Sequence, residues 1–178
     1  MTKYIALFIT FLAFNIGVEY LNDSSQQINI KENNALIITD SLYNLKIEVK
    51  KTEDNIFNLV ISVDLKNGGY YVSPNTKKDY KGKFYTDFGS YKDVSFKGEL
   101  QENKLEKSTT DPFPNVEDPE NNVFENAIFT QELNLKTTDE FFVMGRIQFV
   151  IEPRCTMEQI PFMITFKNGK MIVTEAKC

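Results

Sequence analysis

Apolar and polar residues alternate with a period of two along most of this chain. Leu45, Ile47 and Val49 alternate with Lys46, Glu48 and Lys50, and Phe57, Leu59, Ile61, Val63 and Leu65 continue the rhythm. Alternation of this length predicts half-buried β-strands. Asn67-Gly68-Gly69 breaks the second run, Tyr70-Tyr71-Val72 resumes extended chain, and Ser73-Pro74-Asn75 turns it. Lys83–Phe88 and Asp93–Lys97 predict two shorter strands around Gly89-Ser90. Glu99–Glu120 is the least apolar internal stretch, carries Pro112, Pro114 and Pro119, and predicts a long surface loop. Beyond it, Ala127, Phe129, Leu133 and Leu135 sit at even spacing. Val143, Ile147, Phe149 and Ile151 share one face of the next strand, and Phe162, Ile164 and Phe166 repeat the pattern. Asn168-Gly169 between two apolar runs is the strongest short-range hairpin signal in the chain, with Met171 and Val173 on the returning strand. No stretch holds helical periodicity for more than about two turns. The expected fold is all-β, an immunoglobulin-like antiparallel β-sandwich over residues 35–178. Its expected core includes Leu59, Ile61, Val63, Ile147, Phe149, Phe162 and Ile164.

The first residues break this rhythm. Lys3 is the only charge within residues 1–18, and Ile5–Val18 is a mostly apolar run. Spanning ~30 Å of hydrocarbon takes ~20 apolar residues, so the run is short for a membrane span and fits a signal-peptide core. Residues 1–18 are therefore expected to be a signal peptide, with an uncleaved N-terminal anchor or a buried first strand as the alternatives. Residues 19–34 follow as a polar lead. Export implies an oxidising compartment, in which two cysteines can pair.

Charge and composition narrow the chemistry. Lys plus Arg is 20 and Asp plus Glu is 25, for a net charge of −5. The lysines are scattered among acids, which is not the footprint of a nucleic-acid binder. The densest basic stretch, Lys77–Lys83, reads as a solvated loop. The chain has no His, which excludes a Ser-His-Asp triad, a Cys-His dyad and a His-ligated zinc site. Asp111, Glu117, Asp118 and Glu120 cluster in the proline-rich stretch without a calcium-loop spacing, so they too read as a solvated loop. Neither a metal nor a cofactor is expected. Tyr70, Tyr71, Phe84, Tyr85, Phe88 and Tyr91 could form a stacking surface, but aromatics at strand spacing more often fill cores and cross-strand pairs.

Cys155 and Cys178 are the remaining reactive groups. A bridge between them would close a loop of roughly 24 residues, contributing about 3 kcal/mol in the chain-entropy model. Two independent thiols, or a redox-active pair, are the alternatives. Arg154 beside Cys155 could favour the thiolate, the reactive form.

Four segments resemble the N-terminal domain of the DsbD family of bacterial thiol:disulfide interchange proteins. Gly68-Gly-Tyr-Tyr-Val-Ser-Pro74-Asn75 is similar to its glycine-aromatic-Ser-Pro turn. Phe124–Leu135 resembles its aromatic-led segment feeding a strand. Val143–Ile151 resembles the strand that carries its first cysteine, and Cys155-Thr-Met-Glu-Gln-Ile-Pro161-Phe162 resembles its second cysteine and the strand that follows. The resemblance covers about residues 45–175 and implies an immunoglobulin-like fold in the periplasm or cell envelope. It also implies partner contacts through Phe124, Glu152, Arg154 and Cys155, with an extracytoplasmic protein of the thioredoxin-like kind as partner. This sequence departs from the family where the first redox cysteine belongs: it reads Ile151-Glu152-Pro153. A lone Cys155 can form a mixed disulfide but cannot complete a two-electron cycle without a resolving thiol. The expected function is therefore a non-catalytic partner-binding module related to thiol:disulfide interchange. The alternatives are an active exchanger that uses Cys155 with Cys178, and an adhesive or carbohydrate-binding sandwich.

Overall fold

The computed structural model describes residues 27–30, 34–76, 81–104, 122–123 and 126–176. Twelve strands are seen among the described residues: β1 (Gln27–Ile30), β2 (Leu36–Thr39), β3 (Tyr43–Glu53), β4 (Ile56–Leu65), β5 (Tyr71–Val72), β6 (Tyr85–Phe88), β7 (Val94–Lys104), β8 (Asn122–Val123), β9 (Ala127–Leu135), β10 (Phe141–Ile151), β11 (Thr156–Lys167) and β12 (Lys170–Glu175). There is no helix among the described residues.

The strands form two antiparallel sheets. The first runs β1-β2-β3-β4-β9-β7 and the second β12-β11-β10-β6, while β5 and β8 make a separate two-stranded pair. The fold is thus the expected all-β, immunoglobulin-like sandwich, with both inner faces lined by the apolar parity of each strand. Leu59, Ile61 and Val63 from β4 are buried, as are Ile147 and Phe149 from β10 and Phe162 and Ile164 from β11.

An aromatic cluster fills the centre. Phe84 stacks on Phe129 at 4.2 Å between ring centroids and on Phe149 at 5.2 Å, and Tyr71 leans on Phe84 at 5.4 Å. Tyr71 and Phe84 are therefore core residues, as their strand spacing suggested, and are not part of an exposed stacking surface. At the β11–β12 hairpin, Lys167 pairs with Lys170, and Asn168 and Gly169 both have positive φ (51° and 72°). Two left-handed central residues match the twist of the flanking strands, which explains the Asn-Gly signal.

Two expectations need correction. The first sheet begins at Gln27, inside the stretch read as a polar lead, where β1 pairs with β2. The proline-rich stretch is not all loop either, since β7 continues to Lys104 against β9. The strand resumes after a bulge between Lys97 and Gln101, where Gly98 has φ +72°. Polar side chains hid this segment: Glu99, Gln101 and Asn103 face solvent on an edge strand. The acidic cluster from Asp111 to Glu120 and the run 1–18 lie outside the described residues.

Candidate functional site

The β10–β11 turn carries three of the residues singled out from the sequence. Glu152 and Pro153 are joined by a cis peptide, and Cys155 has φ 53°. A left-handed non-glycine residue is uncommon and needs local support. Glu152 supplies it: its Oε2 accepts from the Cys155 main-chain N–H at 3.2 Å and from the Cys155 thiol at 2.9 Å. The thiol is free and exposed. The Glu152 carboxylate, by this hydrogen bond and by its charge, pushes the Cys155 thiol above its ordinary value. A carboxylate that accepts the thiol proton stabilises the protonated, unreactive form.

Arg154 does not offset this effect, contrary to the expectation from its place beside Cys155. Its side chain turns inward. Nη1 reaches both oxygens of Asp40 at 3.2 Å, and Nη2 donates to Glu158 Oε1 at 2.7 Å. The Tyr43 hydroxyl donates to Glu158 Oε2 at 3.0 Å, and the Leu42 N–H donates to Asp40 Oδ1 at 2.8 Å. Burial first, then the negative charge of Glu158, push the Tyr43 phenol well above its ordinary value. The Asp40 and Glu158 side chains are 1% and 5% exposed, against 25% for Arg154. Arg154 thus ties the end of β2 in one sheet to the start of β11 in the other and closes this end of the sandwich.

The segment Gly68–Asn75 arrives beside the same turn. Tyr70 and Glu152 form a two-way main-chain bridge, with N–H to O distances of 3.1 Å and 2.9 Å. The Tyr70 phenol is raised by partial burial and by the charges of Glu152 and Cys155. The Gly68–Asn75 segment and the β10–β11 turn therefore meet at one end of the sandwich. Phe124 and Cys178 lie outside the described residues, and with them the expected bridge. Among the described residues no group of three His, Cys, Asp or Glu side chains could hold a metal ion.

The sequence reading missed Asp40, Tyr43 and Glu158. A signal for the two acids was present: Asp40 continues the inward parity of Leu36 and Ile38, and Glu158 shares that of Ile160, Phe162 and Ile164. A carboxylate on a core-facing position requires a cationic partner, and Arg154 is that partner.

No family model and no curated protein matches the chain. Among solved structures, the GAE domain of GGA2p from Saccharomyces cerevisiae is similar over 81% of this chain and 99% of its own, at 10% identity and a TM-score of 0.40. The yeast GGA1 GAE domain is similar over 86% of this chain and 100% of its own, at 7% identity and a TM-score of 0.39. Likeness at this level says nothing about what the chain binds.

Proposed function

We propose that this chain is an exported partner-binding β-sandwich, related to the N-terminal domain of DsbD, that does not itself exchange disulfides. The observation that carries the reading is the Glu152–Cys155 contact. The place of the family's first cysteine reads Ile151-Glu152-Pro153 here, and Glu152 favours the protonated form of the one remaining thiol of this turn. Arg154, the cation nearest in sequence, is committed to Asp40 and Glu158. A turn that has lost one thiol and quenched the other keeps a shape for docking and loses the chemistry of exchange. The apolar run Ile5–Val18 supports export, and the periplasm or cell envelope is the compartment in which such a partner, of the thioredoxin-like kind, would be met.

The test is a mixing experiment. Reduced Cys178→Ser protein is mixed at pH 7 with an oxidised thioredoxin-like protein, and mixed disulfide is followed by mass spectrometry. Negligible adduct at Cys155 is expected. Rapid adduct formation, together with a wild-type potential between about −120 and −270 mV, would make the chain a working exchanger and overturn the reading.

A further inference from the structure

The sandwich is open along one side, where the second sheet ends at β6 and the first ends at β7. The Tyr91 hydroxyl accepts from the Met144 N–H at 2.8 Å and lies 3.1 Å from the Met144 carbonyl, to which it donates. Met144 therefore points its main chain toward the β6 side of β10. By the two-residue alternation of an antiparallel ladder, so do Arg146 and Gln148, which face Asp87 and Tyr85. The even-numbered residues of this segment must then point their main-chain groups away from β10. Phe84, just before β6, does so: its N–H donates to the Val72 carbonyl of β5 at 2.9 Å. β5 ends at Val72, and the next two residues of the same edge, Thr86 and Phe88, have no main-chain partner among the described residues.

An open, mostly polar pocket of about 590 Å³ adjoins these two residues; Thr86, Ser95 and Gln131 line it beside an apolar patch of Phe88, Tyr91 and Phe96. Phe88 and Phe96 stack on each other at 3.8 Å and together form one side of it. Two charged side chains line it. Asp87 is paired with Arg146 at 2.8 Å, whereas Lys136 makes no ion pair among the described residues.

We propose that the β6 edge takes an extended peptide of a partner protein as a fifth strand of the second sheet. The peptide places an apolar side chain in the pocket and a carboxylate beside Lys136. The occupant is a peptide because donors and acceptors at Thr86 and Phe88, two residues or ~7 Å apart, are matched by another extended main chain. The carboxylate follows from charge complementarity with Lys136, the one positive side chain among the residues lining the pocket. This inference names the class of partner for the binding module proposed above and rests on that reading.

A phage-displayed library of random linear peptides, panned on the full chain, supplies the probe. Enriched peptides are expected to carry an acid two residues from a large apolar residue, on the same face of the added strand, and to slow amide hydrogen exchange at Thr86 and Phe88. Thr86→Pro removes a main-chain donor that no described residue accepts from, and should weaken binding at least about tenfold. Thr86→Ser keeps that donor and also the hydroxyl that donates to Gln131 Oε1 at 3.1 Å, and should bind like the parent; Lys136→Ala should weaken binding by a smaller factor. Unchanged exchange at Thr86 and Phe88 under saturating peptide, or an empty library, overturns the inference. So does protection of both amides by self-association without peptide, which would assign the edge to a second copy of the chain. The partner-binding reading stands or falls separately, on the disulfide-exchange experiment at Cys155.

Discussion

Replacing Arg154 with Met keeps most of the side chain's length and removes its charge. Two effects compete in setting the cost. An exposed ion pair contributes ~0–1 kcal/mol, because water solvates both partners well. Breaking a buried pair costs about 3–5 kcal/mol, because a charge is left without solvent or partner. Arg154 is 25% exposed, which taken alone would favour the smaller figure. The acids decide the matter. Asp40 at 1% and Glu158 at 5% exposure cannot recover hydration when the guanidinium goes, and they would then repel each other. The expected loss is about 3 kcal/mol, the low end of the buried range. In urea, with a slope of ~2 kcal/mol/M, the unfolding midpoint should fall by about 1.5 M. Arg154→Lys keeps a charge but cannot fork between two carboxylates, so its loss should be smaller, about 1 kcal/mol. If the Met variant moved the midpoint by less than ~0.25 M, Arg154 would not be the clamp between the sheets.

Two further changes probe the packing. Phe149 is fully buried and touches the rings of Tyr43, Tyr71 and Phe84; Phe149→Ala should cost about 3–5 kcal/mol in urea unfolding, and an unshifted midpoint would place it outside the core. A Cβ at Gly145 would lie 2.6 Å from ring atoms of both Phe162 and Phe88. Gly145→Ala should therefore lower stability by about 1–3 kcal/mol, and an equal or higher melting temperature would show that those rings can move aside.

Much of this fold is legible in the sequence because strands with one buried face advertise themselves. In β4 every second residue from Phe57 to Val63 is both apolar and buried, so pattern and burial coincide. The Asn168-Gly169 turn is legible for a different reason, since few residues adopt two successive left-handed conformations. β1 and the far half of β7 were harder to read. They are edge strands held by main-chain pairing, and main-chain pairing leaves no mark on side-chain pattern. The candidate site was legible only in part. Glu152 and Cys155 are close in sequence, and their antagonism could be anticipated from charge alone. The direction of Arg154 could not, because its partner Asp40 is distant along the chain and the pairing exists only once the two sheets close. The open main-chain groups of Thr86 and Phe88 leave no sequence signal, because they follow from where β5 stops.

The proposed role requires that Cys155 stay a protonated thiol and do no redox work. The most direct test is the pH dependence of its alkylation in the Cys178→Ser protein. A negative group beside a thiol favours the protonated form, so Glu152 raises the pH at which the thiolate appears. The half-maximal alkylation rate is expected above the ~8.5 of an ordinary cysteine, and Glu152→Gln should bring it down toward that value. A midpoint at or below ~7 in the parent protein, in the range of working thiolates, would contradict the account.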